Sequence, residues 1–212
     1  MMHVLVTGGA GFIGSNFVRM IATGSFPQIS RVTVLDKLTY AGVQENLDSA
    51  KSMTGYSFVQ GDICDPQLVA SLLVDVDAVI NFAAESHVDR SIQSSAEFVS
   101  TNMAGVQVLL DAIKSSGRKI RFVQVSTDEV YGSIEEGSWD ENCPLLPNSP
   151  YSASKAGGEL LARSYHRTHG MDIVITRCSN NYGTHHFPEK LIPLFITNLI
   201  EGKKVPVYGS GL

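Results

Sequence analysis

Cysteine is scarce: Cys64, Cys143 and Cys178 are the only three in 212 residues, odd in number, far apart and without a C-x-x-C pair. That pattern excludes a disulfide framework and a cysteine zinc site, and it fits a reducing compartment. Charge is also sparse at 17%, and sixteen Lys and Arg are outnumbered by twenty-one Asp and Glu with no basic run. Nucleic acid is excluded as a partner, because its electrostatic footprint needs clustered positive charge. Long apolar runs are missing too. The first one, residues 4–6, gives way to Thr7 and two glycines. It is too short for a signal-peptide core, and no segment reaches the roughly 18 apolar residues of a membrane span. A cytoplasmic protein is expected. What is present is 43% hydrophobic residues, enough for a real core and too much for disorder.

Short β-rich runs at residues 3–7, 31–36, 56–60, 77–82, 120–126 and 172–177 alternate with segments of helical period at 12–23, 65–74, 95–116 and 151–169. Several of the strand runs are apolar at consecutive positions, as strands buried on both faces must be. Gly117 and Gly170 stand where the third and fourth helices need C-terminal caps, and a fifth helix is expected from Pro188 to Glu201. This alternation predicts an α/β fold: a doubly wound parallel sheet, Rossmann-like.

In such a sheet ligands bind beyond the carboxyl ends of the strands. Gly8, Gly11 and Gly14 form G-x-x-G-x-x-G between the first strand and the first helix. Glycine there lets the backbone approach a pyrophosphate at the helix N-terminus, where free N–H groups favour an anion. Asp36 ends the second strand, 22 positions after Gly14. A carboxylate there can accept ribose hydroxyls and repel a 2′-phosphate, favouring NAD over NADP, although Lys37 beside it softens the preference. Asp62 fits a contact to adenine and, equally, a helix cap before Asp65.

Tyr151 and Lys155 form Y-x-x-x-K at the start of the fourth helix. Positions four apart share a helix face, so the ammonium is expected to lower the phenol toward the range of a base. Asp128 and Glu129 follow the fifth strand; a solvated acidic turn is one reading, an acid–base pair for an elimination the other. His166 and His169 share a helix face without an acid or cysteine pattern nearby, and Trp139 is expected to anchor a loop.

Together the T-G-G-x-G-F-I-G loop, Y-x-x-x-K and the segments at 82–92, 125–132 and 177–193 resemble the extended short-chain dehydrogenase/reductases. More narrowly, they resemble the nucleoside-diphosphate-hexose 4,6-dehydratases, over essentially the whole chain. The resemblance implies an NAD-dependent lyase that dehydrates a nucleoside-diphosphate hexose, dTDP-glucose favoured, to the 4-keto-6-deoxy sugar. It implies that Tyr151, with Lys155 and Thr127, takes the 4-hydroxyl proton, that Glu129 is the base at C5, and that Asp128 is the acid at the 6-hydroxyl. It assigns Gly8, Gly11, Phe12, Ile13, Gly14, Asp36, Asp62, Ile63, Ala83, Tyr151 and Lys155 to NAD, and Ser86, His87, Thr127, Asn181, Glu189, Lys190, Leu191, Pro206 and Tyr208 to substrate. A homodimer is implied as well. The expected domains are 1–178, holding cofactor and catalytic residues, and 179–212, the start of a substrate domain.

Thr184 and Ser210 depart from the family pattern, which usually has Pro and often Asp at those places. Both positions are in loops. Relatives continue well past Gly209, so the chain is expected to be a fragment that folds around its cofactor and turns over slowly or not at all. Two other functions are open. A sugar-nucleotide 4-epimerase would share the cofactor site and the Tyr/Lys pair but have no use for an acidic dipeptide after the fifth strand. The other is a non-catalytic module that binds NAD but whose truncated pocket no longer holds substrate.

Overall fold

A computed structural model describes residues 1–207. Six parallel strands form one sheet in the order β3-β2-β1-β4-β5-β6: β1 (Met2–Thr7), β2 (Ile29–Asp36), β3 (Tyr56–Gln60), β4 (Ala78–Asn81), β5 (Arg121–Thr127) and β6 (Ile173–Cys178). The order runs outward from β1 in one direction and from β4 in the other. Between β1 and β4 the chain therefore reverses its winding, and their carboxyl ends open the crevice in which such folds hold ligands. All six expected strands form, within two residues of the expected ends.

The periodicities explain the two cores. Leu5, Val79 and Phe122 point to one face, which α2 (Pro66–Leu72), α5 (Val106–Ser115) and α6 (Pro150–His169) cover. Val4, Val6, Val32 and Val34 point to the other, against α1 (Phe12–Ala22) and a 3-10 turn at Gln44–Ala50. Burial on both faces is why these strands read as continuous apolar runs. Each fully buried Val, Leu or Phe side chain stabilises the fold by about 1.5–3 kcal/mol.

The helices depart from expectation in three places. A short helix, α3 (Val88–Gln93), forms where none was expected. The segment 95–116 is divided: α4 (Ala96–Val99) passes into a π turn at Ser100–Gly105 before α5. The last helix, α7, is Leu191–Ile200 and not 188–201. Lys190 is its N-cap in extended conformation, so Pro193, and not Pro188, occupies the first turn. Gly170 caps α6 in the left-handed region, as expected. His166 spends its Nδ1 on the Met171 carbonyl (2.8 Å), and His169 lies edge-on to Tyr165, so both serve this helix end.

The chain divides into two units, Met1–Ser179 and Asn180–Leu212. The sheet and its helices make up the first, and α7 lies in the second. Among the described residues no helix is long and apolar enough to cross a membrane.

Candidate active site

The loop after β1 is shaped by close backbone approach. Gly8 has φ +67°, and a Cβ there would lie 2.4 Å from the Ala83 backbone nitrogen. A Cβ on Gly14 would meet the Gly8 carbonyl oxygen, also at 2.4 Å. The glycines therefore let the end of β1, the start of α1 and the segment after β4 converge. Gly11 caps α1 without a side-chain hydrogen bond, so the helix N-terminus is left to an anion. Phe12 and Ile13 begin that helix. Ile63, after β3, is buried in the core.

Asp36 sits where expected, at the end of β2, 8% exposed. Its two oxygens already accept from the backbone N–H of Ala10 and of Leu38, each at 2.8 Å. Burial pushes this carboxyl up, opposed by the N–H groups of Leu38, Ala10 and Gly11. The carboxylate thus orders the glycine loop as well as facing the crevice, a second role that spacing alone did not reveal.

Asp62 is not the cap of α2. Asp65 caps that helix itself, accepting from Gln67 and Leu68. Asp62 instead pairs with Lys37 (Nζ to Oδ2, 2.8 Å) and accepts from the Cys64 N–H. Burial pushes its carboxyl up, but the Lys37 and Cys64 contacts outweigh that and hold it below the ordinary value. Lys37 is thus paired with Asp62.

The catalytic candidates converge between β5 and α6. Thr127 ends β5 and caps a 3-10 turn, Asp128–Tyr131, by accepting from the Glu129 N–H (3.2 Å). Its hydroxyl also reaches Asp128 Oδ1 at 3.3 Å. Helix α6 begins with a capping box between Ser149 and Ser152 and with Pro150 in its first turn, which fixes Tyr151 one residue later. Ser91 on α3 accepts from the Tyr151 N–H at 3.1 Å.

The Tyr151 phenol is not brought down to the range of a base by the side chains around it. Tyr151 is 8% exposed, and its phenol is held far above its ordinary value, first by burial and then by the negative charge of Glu129; the Thr127 hydroxyl opposes this. Lys155 shares the helix face but donates to the Val125 carbonyl (2.7 Å). Burial pushes its ammonium down to about 8. Sequence spacing places the pair correctly; it says nothing about which acceptor the amine selects.

Two groups of site-shaping residues escaped the sequence reading. Asn102, in the π turn, accepts from the Glu85 N–H, donates to the Glu85 carbonyl and donates to Ser154, whose hydroxyl bonds the Tyr151 carbonyl. A buried row of polar side chains runs across the sheet: Thr7 donates to Asn81 (2.5 Å) and Asn81 to Gln124 (2.8 Å). Their signal was available, as polar residues within or at the ends of otherwise apolar strands. Ser126 Oγ, beside Thr127, is buried with no partner.

Ser86 and His87 follow β4 half-buried, and His87 caps α3. Asn181, Glu189, Lys190, Leu191 and Pro206 belong to the second unit. Tyr208 and Ser210 lie outside the described residues.

Over residues 5–212 the sequence matches a family described as GDP-mannose 4,6 dehydratase. It is 59% identical to a dTDP-glucose 4,6-dehydratase of Streptomyces niveus, covering 99% of this chain and 63% of that protein. The crystal structure of DesIV, a dTDP-glucose 4,6-dehydratase of Streptomyces venezuelae with NAD bound, superposes with a TM-score of 0.96 at 57% identity, covering 99% of this chain and 66% of that one. A UDP-glucuronic acid 4-epimerase of Bacillus cereus, crystallised with its substrate and NAD, has a TM-score of 0.90 at 30% identity, covering 99% of this chain and 67% of that one. The chain spans less than two-thirds of the length of these dehydratases.

Proposed function

The chain belongs to the GDP-mannose 4,6 dehydratase family, and from that premise we propose that the protein dehydrates a nucleoside-diphosphate hexose, dTDP-glucose in the first instance, using NAD. The observation that carries the reading is the pair Asp128–Glu129, set on one 3-10 turn beside Thr127 and within electrostatic reach of Tyr151. A 4-epimerase shares the fold but breaks no C–O bond, and so has no work for that pair.

The residues present fit a dinucleotide. Gly8 and Gly14 let the backbone turn tightly at the start of α1, that helix has no side-chain hydrogen bond at its cap, and Ser126 keeps an unpartnered hydroxyl. Gly8, Gly11, Phe12, Ile13 and Gly14 would hold the pyrophosphate, Asp36 the ribose, Asp62 and Ile63 the adenine end, and Ala83, Tyr151 and Lys155 the nicotinamide end. When bound, NAD supplies a hydride acceptor that can later return what it took.

The chain's own residues move the protons. Tyr151 takes the proton of the sugar 4-hydroxyl, with Thr127 bonding the phenolate oxygen and Lys155 providing a nearby positive charge. The ketone formed at C4 makes the C5 proton acidic, and Glu129 removes it. Asp128 protonates the departing 6-hydroxyl, which leaves as water. Glu129, re-equilibrated with solvent, returns a proton to C5. Ser86, His87, Asn181, Glu189, Lys190, Leu191, Pro206 and Tyr208 belong to this reading as substrate contacts, and a cytoplasmic homodimer belongs to it as the state of the protein.

The test follows the hydrogen. Deuterium placed at C4 of dTDP-glucose should appear in the C6 methyl group of a 4-keto-6-deoxy product, with solvent hydrogen at C5. NMR showing the label retained at C4 would replace dehydration by epimerisation.

Cofactor choice is a separate expectation. NAD should bind more tightly than NADP, and Asp36→Ala should narrow the gap by costing NAD about 1.5–3 kcal/mol, the worth of one charged hydrogen-bonding group. Calorimetric titration of both dinucleotides checks this, and equal affinities in the unaltered protein would sink it.

A further inference from the structure

We infer that Arg177 is a positioning residue for the elimination: through Glu159 and Tyr131 it holds the turn bearing Asp128 and Glu129 against the helix bearing Tyr151 and Lys155. The inference rests on the dehydratase reading and adds to it a link between the two pairs of acid–base groups.

Glu159 lies four residues beyond Lys155 on the same face of α6, with its side chain 3% exposed. A carboxylate buried to that degree needs a fixed positive partner. Arg177, near the end of β6, meets it with both Nε and Nη2, the planar fork that a guanidinium offers and an ammonium lacks. The remaining nitrogen, Nη1, donates to the Tyr131 hydroxyl at 2.5 Å and to the Glu141 carbonyl at 3.3 Å.

Tyr131 is the last residue of the 3-10 turn, two positions after Glu129. Its ring is held on Trp139, stacked at 5.5 Å with 10° between planes, and the Arg177 guanidinium carbon lies 4.8 Å from its centroid. Trp139 is thus the loop anchor it was expected to be. The turn is consequently gripped at both ends, by Thr127 at its start and by Tyr131 at its finish. The first grip reaches α6 through the Thr127 hydroxyl on Tyr151, and the second through the packing of Val130 and Tyr131 on Ala156 and through the Arg177–Glu159 ion pair. Misplacement of a catalytic group by about 1 Å can cost about 10²-fold in rate. Loosening this grip should fall on the groups of the turn and spare those of the helix.

Two variants test this in the natural protein. Tyr131→Phe keeps the stacked ring and deletes the hydroxyl; Arg177→Lys keeps the charge and deletes the fork. Amide hydrogen exchange is followed over residues 128–132, and single-turnover experiments time C4 oxidation and elimination separately. The expected result is exchange of the turn about tenfold faster with β5 unchanged, and elimination slowed about tenfold or more relative to oxidation. Unchanged exchange overturns the proposal. Equal slowing of both steps also overturns it, because that is what general loss of structure produces. Should Arg177→Lys fail to fold, Tyr131→Phe carries the test. Should the protein turn over no sugar nucleotide, the dehydratase reading fails while exchange still decides whether the clamp exists.

Discussion

Glu129→Gln should oxidise the sugar at C4 and then stall. The side chain is exposed at the first turn of Asp128–Tyr131, while its backbone N–H is pinned to Thr127 Oγ1 at 3.2 Å. Glutamine preserves that backbone contact and nearly the same volume, but cannot take the C5 proton. Loss of a general base lowers the rate by about 10²- to 10⁴-fold. The charge has a second effect that separates the steps: Glu129 is, after burial, the main influence holding the Tyr151 phenol high. Removing it should make Tyr151 easier to ionise, so oxidation at C4 should proceed at least as readily as before. Rapid-quench analysis should find the 4-keto intermediate with its C6 hydroxyl in place. Loss of oxidation together with elimination would show that Glu129 does not act at C5.

The architecture was legible in the sequence to a degree that follows from its physics. Strands buried on both faces leave continuous apolar runs, and helices between them leave a 3.6-residue period. Both signals are local, and both were read correctly for β1 to β6 and for α1, α2 and α6. The placement of the candidate residues was legible where spacing is local: Gly8, Gly11 and Gly14 lie between β1 and α1, Asp36 ends β2, and Tyr151 and Lys155 lie one turn apart on α6. The site was obscure wherever a residue's partner is set by the tertiary fold. Lys37 chooses Asp62, Lys155 chooses the Val125 carbonyl, and Asp36 gives one oxygen to the glycine loop and the other to the Leu38 N–H.

The long helix of residues 95–116 shows the same limit. Its amphipathic pattern continues through 100–105, and nothing in it announces that Asn102 bonds Glu85 and Ser154 from a π turn. A Cβ on Gly158 would lie 2.2 Å from the Asn102 carbonyl oxygen. Gly158 in α6 was therefore the available hint that another backbone approaches there.

Lys155→Met should separate activity from stability in opposite directions of pH. Lys155 is 5% exposed, and burial pushes its ammonium down to about 8 from an ordinary 10.5. That gap corresponds to about 3 kcal/mol against the charged form in the fold. Below pH 8 the lysine is protonated in both folded and unfolded chains, and the penalty is carried in full. Between about 8 and 10.5 the folded chain has released the proton and the unfolded chain has not. The unfolded state then binds more protons, so this group makes stability rise with pH across the window. Methionine has nothing to titrate. The stability of the variant relative to the unaltered protein should therefore fall by about 3 kcal/mol from pH 7.5 to 10.5; taking the difference cancels the tyrosines that titrate nearby. Activity should move separately. Without a cation on the face shared with Tyr151, a buried phenol already held high has little to stabilise its ionised form, and kcat should drop by about 10²-fold or more with little change in KM. Urea unfolding across the pH range and steady-state kinetics at pH 7.5 check the two halves. A stability difference independent of pH would mean that Lys155 is not desolvated in the fold, and unchanged kcat would remove it from the proton path.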